Sequence, residues 1–192
     1  KRGGMILRPC IGIPHYNNSR TIRQVVLDCL TKTEYPVLVI DDGSEAPVRD
    51  LLTGSPFTEA FASERLHLLR FPENRGKGAA LQEGFRFAIG KNVTHLVTMD
   101  ADGQHLVSEI PKFLQAALQD PWAMVIGDRQ LTESTVPQGT KFGRSFSNFW
   151  VKYETGALIR DSQSGFRSYP LFHVQNMTFW TRRYDFEIEV LI

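Results

Sequence analysis

Short apolar runs that end abruptly in polar residues are the feature that most restricts how this chain can fold. The clearest run is Val37-Leu38-Val39-Ile40, which is followed directly by Asp41-Asp42-Gly43-Ser44. A strand without polar residues is covered on both faces, which is typical of parallel sheets with helices on each side. Such a strand also delivers polar groups at its carboxyl end.

Helical patterns alternate with these runs along most of the chain. Strands are predicted over residues 9–13, 37–40, 66–71, 95–99, 124–126 and 164–169. Helices are predicted after Ser19, a candidate N-cap, after Gly76, after His105 and near 184–192. The alternation predicts an α/β fold with a mostly parallel central sheet flanked by helices.

Three segments fall outside this alternation. Residues 53–65 are predicted to be loop that can include a helical turn. Residues 130–140, which have polar and turn residues without a period, are predicted to form a mobile loop. Residues 142–153 are predicted to form a helix with an aromatic stripe that packs in the core rather than on a substrate.

Length and composition favour one domain without disulfides. The 192 residues, of which 42% are hydrophobic, can bury a core, so residues 1–192 are expected to form a single domain. The formal net charge of +1 argues against nucleic acid as a partner. Cys10 and Cys29 lack the spacing of a zinc site and are predicted to be buried free thiols in a reducing compartment.

The sequence has no apolar segment of the roughly 18 to 20 residues needed to span a bilayer, and no signal peptide at its start. We therefore expect a cytoplasmic location. Because the sequence ends at Ile192 within an apolar helical pattern, we also expect the domain to be truncated at its C-terminus. Parts that contact an acceptor or the inner face of the cytoplasmic membrane would then follow.

Asp100 and Asp102 are the most informative candidates for chemistry. They follow a predicted strand, one residue apart, and Gln104 can add a further oxygen. In open α/β sheets the ligand crevice lies beyond the carboxyl ends of the strands. Hard oxygen ligands suit Mg²⁺ or Mn²⁺ bound to substrate phosphates rather than zinc. The alternative is a pair of turn-forming aspartates.

Two other strand ends carry candidates of lower specificity. Asp41 and Asp42 could serve a second metal, bond a nucleobase or ribose, or close a turn. Gly76-Lys77-Gly78 begins a predicted helix and could offer N–H groups and an ammonium to a diphosphate, although it lacks the full spacing of a P-loop.

In this order and spacing, the clusters resemble glycosyltransferase family 2. Within the family they are similar to the branch of dolichol-phosphate mannose synthase and the bacterial polyprenyl-phosphate glycosyltransferases. The resemblance covers nearly the whole chain and is carried by Ile13-Pro14-His15-Tyr16-Asn17, Val39-Ile40-Asp41-Asp42-Gly43-Ser44, Asn74-Arg75-Gly76-Lys77-Gly78-Ala79-Ala80, Met99-Asp100-Ala101-Asp102-Gly103-Gln104-His105 and Asp161-Ser162-Gln163-Ser164-Gly165-Phe166-Arg167.

The resemblance implies a nucleotide-diphospho-sugar transferase fold of the GT-A type and a UDP- or GDP-linked sugar as donor. It implies that the metal is held by Asp100, Asp102 and Gln104. It implies donor contacts at Pro14, Tyr16, Asn17, Asp41, Asp42, Lys77, Asp100, Ala101, Asp102 and Arg129. Arg144 and Asn148 resemble the clamp for an acceptor phosphate, and Arg167 resembles a phosphate contact.

The resemblance also implies a reaction, which we expect to be in-line transfer with inversion to a polyprenyl phosphate. Asp102 and Arg167 would act at the reacting centre. Asp161 is the candidate general base if the acceptor is a hydroxyl, whereas a lipid phosphate is already ionised and needs none. A nucleotidyltransferase and a non-catalytic nucleotide-sugar-binding subunit are the rival hypotheses.

Two departures from the branch leave the nucleotide and the exact subgroup open. Asn18 stands where an acidic residue is common, and Leu106-Val107 replaces a frequent pair of prolines.

Overall fold

One six-stranded sheet forms the centre of the domain. The computed structural model describes residues 6–104, 106–128, 161–162, 164–181 and 185–191. Its strands are β1 (Pro9–His15), β2 (Val37–Asp41), β3 (Leu66–Arg70), β4 (His95–Thr98), β5 (Val125–Ile126) and β6 (Arg167–Pro170). They lie side by side in the order β3-β2-β1-β4-β6-β5.

The sheet is mostly parallel, which confirms the prediction. β1 pairs in parallel with β2 and β4, and β2 pairs in parallel with β3. β6 is antiparallel to both β4 and β5, so among the described strands it alone runs in the opposite direction. The carboxyl ends of β1 to β5 and the beginning of β6 therefore meet at one edge of the sheet.

Helices cover both faces. The described helices are α1 (Ile22–Lys32), α2 (Val48–Leu51), α3 (Phe57–Ala62), α4 (Lys77–Gly90), a 3₁₀ turn (Val107–Glu109), α5 (Ile110–Gln119), α6 (Leu171–Val174) and α7 (Phe186–Glu189). Residues of α1, α2, α3 and α5 share one buried cluster with Ile11 and Val39. Residues of α4, α6 and α7 share a second cluster with Leu38 and Leu96. The continuous apolar run of β2 thus supplies both cores.

One local prediction was wrong, and another was incomplete. Ser19 does not cap α1, because the carbonyl of Asn18 first accepts the N–H groups of Thr21 and Ile22 in a turn, and the helix begins at Ile22. In the segment 53–65, the helical turn that the sequence allowed is the six-residue helix α3, with turns on either side. That helix is held by Phe57, which is fully buried, and a single short helix of this kind leaves too few turns for a clear period.

Both cysteines are buried free thiols, as predicted. Burial raises the pKa of Cys10 and of Cys29 to about 12. The described residues include no helix long and apolar enough to cross a membrane. The predicted loop at 130–140 and the aromatic stripe at 142–153 lie outside the described residues.

Candidate active site

A cleft of about 470 Å³ opens at the edge of the sheet where β1, β2 and β4 end. Its described lining contains three carboxylates and one ammonium, together with polar and small residues: Pro14, His15, Tyr16, Asn18, Asp42, Asn74, Gly76, Lys77, Ala80, Asp100, Ala101 and Asp102. Parallel strands concentrate their terminal side chains at this edge, as the sequence predicted.

Asp42 ties the end of β2 to the beginning of α4. Its carboxylate accepts the N–H groups of Arg75 at 2.8 Å and Gly76 at 2.9 Å and the amide of Asn74 at 3.1 Å. Burial raises the pKa of Asp42, and the two backbone hydrogen bonds partly offset this. The sequence predicted that the N–H of Gly76 could donate to a diphosphate. In the structure this N–H donates to the carboxylate of Asp42 instead.

Gly43 allows this connection to close. It has a φ of +72°, and a Cβ at this position would lie 2.3 Å from the carbonyl carbon of Glu73. Only glycine tolerates both the left-handed backbone and this approach of two loops. The D-D-G-S segment is thus shaped to bring Asp42 against the loop before α4.

Asp41 closes the turn, one of the three roles left open for it. It is fully buried, and its carboxylate accepts the N–H groups of Ser44 and Val48 and pairs with Arg70. Burial alone would raise the pKa of Asp41, but these hydrogen bonds lower it overall. Asp41 is absent from the described lining of the cleft, so its predicted contact with the donor has no support in this geometry.

The loop after β1 supplies the opposite wall. Pro14 and Tyr16 line the cleft, and Tyr16 is 48% exposed. Asn17 has a φ of 54° and accepts the N–H of Glu45 through its side chain, which links the loops after β1 and β2. Asn17 therefore braces the wall. Asn18, which was notable in the sequence only as a departure from the branch, lines the cleft in its place.

Asp100 and Asp102 present two carboxylates to the cleft just beyond β4. The exposed Asp102 accepts the N–H of Gln104 at 2.9 Å, so the turn expected of a D-x-D-G segment is present as well. Ala101 between them is buried, and its carbonyl accepts the hydroxyl of Thr21 at 2.5 Å. This bond fixes the segment to the start of α1. The two interpretations of this pair, a turn and a set of metal ligands, are therefore compatible with each other.

Lys77 supplies positive charge beside Asp100. Its ammonium lies 2.5 Å from Oδ1 of Asp100 and 2.8 Å from Oε1 of Glu187. Burial alone would lower the pKa of Lys77, but the two carboxylates raise it above its ordinary value. The side chain keeps a permanent charge in the cleft.

The donor set fits a divalent cation with oxygen ligands. Asp100 and Asp102 are carboxylates on one short segment, and Asp100 already pairs with a cation, the Lys77 ammonium. Gln104 is exposed next to them. The described residues gather no group of three His, Cys, Asp or Glu side chains, so substrate oxygens would have to complete a coordination sphere.

The segment before β6 reaches Asp100 from the other side. A Cβ on Gly165 would lie 2.5 Å from Oδ2 of Asp100, and the carbonyl of Gly165 accepts the hydroxyl of Thr98 at 2.8 Å. Asp161 in the same segment is 1% exposed. Its role as a base remains a prediction.

Arg167 does not reach the cleft in this structure, contrary to the expectation of a phosphate contact. Its guanidinium is fully buried and donates to three backbone carbonyls, those of Ser162, Ser164 and Glu187, at 2.6 to 2.7 Å. A buried guanidinium needs such acceptors. It therefore holds the segment in place. Arg129, Arg144 and Asn148 lie outside the described residues, as does His105.

A second depression, of about 630 Å³, lies at the opposite edge of the sheet. Arg8, Thr94, His95 and Phe172 are among its described lining, which holds no carboxylate. Nε2 of His95 lies within hydrogen-bonding distance of the carbonyl of Pro121, at 3.1 Å, so this ring has a structural partner. Although this depression is larger, it lacks the carboxylates of the first cleft, so the first cleft is the candidate active site.

The sequence indicated no role for several residues in or next to the cleft: His15, Asn74, Ala80 and the neighbouring Glu187. The first three lie within segments that carry the family resemblance. Glu187 belongs to a short helix late in the chain, and no local pattern connects it with Lys77.

Comparison with known proteins agrees with this geometry. The fold is that of the GT-A nucleotide-diphospho-sugar transferases. A solved structure of glucosyl-3-phosphoglycerate synthase from Mycobacterium tuberculosis, in complex with Mn²⁺, uridine diphosphate and phosphoglyceric acid, superposes with a TM-score of 0.70 at 17% identity and covers 96% of this chain and 63% of that one. The family model described as glycosyl transferase family 2 matches residues 10–187. The chain therefore belongs to glycosyl transferase family 2.

Curated relatives agree with the predicted branch. A dolichyl-phosphate beta-glucosyltransferase from Drosophila melanogaster is 27% identical over 201 residues, covering 93% of this chain and 60% of the relative. A polyprenol monophosphomannose synthase from Mycolicibacterium smegmatis is 29% identical over 171 residues, covering 84% and 61%. The matched region thus spans about three fifths of each relative.

Proposed function

We propose that this chain is the catalytic part of a metal-dependent glycosyltransferase that moves a sugar from a UDP- or GDP-linked donor to a polyprenyl phosphate. The observation that carries the proposal is the convergence of Asp42, Lys77, Asp100 and Asp102 on one cleft in a chain of this family. Lys77 supplies a positive charge for a diphosphate, Asp100 and Asp102 supply carboxylates for a metal, and Asp42 supplies a carboxylate at the nucleoside end.

The donor would lie along the cleft from the β1 and β2 loops towards β4. Pro14 and Tyr16 offer an apolar wall and a ring to the nucleobase, and Asp42 has acceptor capacity beside them. Asp100 and Asp102, with Gln104, would hold Mg²⁺ or Mn²⁺, which would offset the charge of the departing diphosphate. Lys77 would contact the same phosphates from α4.

The reaction breaks the bond between the anomeric carbon of the sugar and a phosphate oxygen of the donor. Negative charge then develops on the diphosphate, where the Lys77 ammonium stabilises it. An acceptor phosphate oxygen would form the new bond from the opposite face, with inversion, and its existing charge makes a general base unnecessary. For a hydroxyl acceptor, Asp161 would take the proton.

The relatives supply the argument for the acceptor class, because their names specify dolichyl phosphate and polyprenol monophosphate chemistry. A lipid acceptor would place the protein at the cytoplasmic face of a membrane, as a peripheral protein or through parts outside the sequence. Arg144 and Asn148, four residues apart, would bind the acceptor phosphate if the segment is helical.

The test is incubation of the full-length protein with UDP- and GDP-linked sugars, Mn²⁺ and either a polyprenyl phosphate or soluble hydroxyl acceptors. The proposal expects free nucleoside diphosphate and a glycosylated lipid phosphate. Transfer only to hydroxyl acceptors would overturn the acceptor class. Release of nucleoside monophosphate would indicate attack at phosphorus, and binding without turnover would indicate a binding subunit.

A further inference from the structure

Glu187 lies outside every segment that carries the family resemblance, yet it pairs with Lys77, which lines the cleft. Its carboxylate pairs with the Lys77 ammonium at 2.8 Å, and it is 6% exposed. A buried carboxylate is costly unless it is paired. Lys77 is the partner, and the same ammonium also pairs with Asp100.

We propose that Glu187 is a positioning residue that holds Lys77 beside the donor diphosphate and prevents it from competing with the metal for Asp100. The proposal rests on the proposed function, because it assigns Lys77 to the donor and Asp100 to the metal. Glu187 touches neither. It acts through the ammonium of Lys77.

The argument begins with charge. One ammonium lies between two carboxylates, at 2.5 Å from Asp100 and 2.8 Å from Glu187. When a divalent cation takes the charge of Asp100, Lys77 loses that partner and is repelled by the cation. Glu187 remains as an anion on the other side, so the ammonium stays in the cleft, where a diphosphate can bind it.

The backbone of Glu187 is itself fixed. Its carbonyl accepts Nη1 of the fully buried Arg167 at 2.6 Å. Arg167 also donates to the carbonyls of Ser162 and Ser164, next to the segment that packs on Asp100. The position of Lys77 is thus set from the same framework that places Asp100, which a mobile surface carboxylate could not do.

Lys77 pairs with two carboxylates, those of Asp100 and Glu187. If Glu187 is removed, the carboxylate of Asp100 is the one of these two that remains. The ammonium would then oppose metal binding more strongly and would be held less well for the donor. Removal of Lys77 has the opposite effect on the metal, because it frees Asp100 from a competing cation. A merely structural ion pair predicts neither difference.

The test compares the full-length wild type with Glu187→Gln, Lys77→Met and the double variant. Binding of Mn²⁺ alone is followed by the loss of the free-ion signal in electron paramagnetic resonance. Binding of UDP and GDP at saturating Mn²⁺ is measured by calorimetry. Glu189→Gln is the matched control, since it removes the same charge from the same helix, but its carboxylate accepts the N–H groups of Trp180 and Thr181 instead.

We expect Glu187→Gln and Lys77→Met each to weaken nucleoside diphosphate binding roughly tenfold or more, since each disrupts a charge-assisted contact. The double variant should lose little beyond the larger single loss. For Mn²⁺ alone, Lys77→Met should tighten binding and Glu187→Gln should weaken it. Glu189→Gln should change both affinities less than twofold.

The inference is overturned if Glu187→Gln behaves like Glu189→Gln, or if the losses in the double variant add. If Glu187→Gln does not fold, Glu187→Asp takes its place, because the shorter side chain withdraws the carboxylate from Lys77 and should still weaken binding. Wild-type protein that binds neither UDP nor GDP refutes the proposed function instead. The opposite changes in Mn²⁺ affinity would still decide the role of Glu187.

Discussion

The carboxylate of Asp42, just beyond β2, accepts the backbone N–H of Gly76, just before α4, at 2.9 Å. The two residues belong to different parts of the proposed donor site, the nucleoside end and the diphosphate end. Described hydrogen bonds occupy three of the roughly four acceptor positions of this carboxylate. The proposed donor would therefore meet a preformed wall, and a change at Asp42 would disturb both ends of the proposed site together.

Asp102→Asn should weaken binding of UDP or GDP in the presence of Mn²⁺ by at least about tenfold, since loss of groups that only support metal ligands already costs this much. Its thermal stability should be nearly unchanged, because Asp102 is exposed and its described hydrogen bond is to the N–H of Gln104. Asp120→Asn is the control, as Asp120 forms a similar turn with Trp122 away from the cleft. Equal affinities of Asp102→Asn and wild type in calorimetry, with and without EDTA, would contradict the metal assignment.

Gly165→Ala should damage the site without removing a polar group. The new methyl would lie 2.5 Å from the carboxylate of Asp100, so that carboxylate must move, at a cost of about 1 to 3 kcal/mol in unfolding free energy. Mn²⁺-dependent nucleotide binding should fall as well. Gly90→Ala is the control, because a Cβ there meets no atom within 4 Å. Chemical denaturation and calorimetry measure the two effects, and a Gly165→Ala protein with wild-type values for both would disprove the close contact.

The strands β2 and β6 show which parts of the fold could be predicted from the sequence. The apolar run of β2 predicted a central strand with a polar end, because a strand without polar residues must be covered on both faces. The direction of β6 was not predictable, since a four-residue strand reads alike in both directions and its orientation is set by pairing with β4 and β5.

The candidate site also contains residues that the sequence predicted and residues that it did not. Asp100, Asp102 and Asp42 were found because they follow strands that the sequence marks. Arg167 was expected at a phosphate, but its burial depends on carbonyls of Ser162, Ser164 and Glu187 that only the folded chain brings together. A local motif carries no information about such distant acceptors.

Asp41→Asn should destabilise the domain by about 1.5 to 3 kcal/mol, because a buried carboxylate that accepts three partners is replaced by an amide. The pKa of Asp41 is lowered in the folded state, so its contribution is complete above the ordinary aspartate pKa of about 3.9 and is lost as pH falls through the lowered folded-state pKa. The stability difference from wild type should therefore persist between about pH 5 and 7 and shrink in stronger acid.

Urea denaturation across this pH range measures the effect of Asp41. Asp28→Asn is its control, since Asp28 pairs with Lys32 at the surface and should contribute less than about 1 kcal/mol. A difference between wild type and Asp41→Asn that grows towards low pH would show that the sign is wrong.

Arg144→Ala tests the acceptor. Loss of one charged hydrogen-bonding partner should lower transfer to a polyprenyl phosphate by roughly tenfold to a hundredfold, or about 1.5 to 3 kcal/mol, and leave nucleotide binding intact. Arg86→Ala is the control, because Arg86 is an exposed residue of α4 paired with Glu83. Full-length protein and a radiolabelled donor provide the measurement. Unchanged lipid transfer would remove Arg144 from the acceptor site and make Asp161 the next residue to substitute.

The reversed direction of β6 has a consequence for Asp100. Ile126 pairs with Arg167, and the N–H of Gly127 donates to the carbonyl of Phe166 at 2.8 Å, so β5 holds the beginning of β6 in place. Gly165, the residue before Phe166, packs on the carboxylate of Asp100. A substitution that loosens the short edge strand β5 should therefore also disturb Asp100, although β5 contributes no residue to the described lining of the cleft.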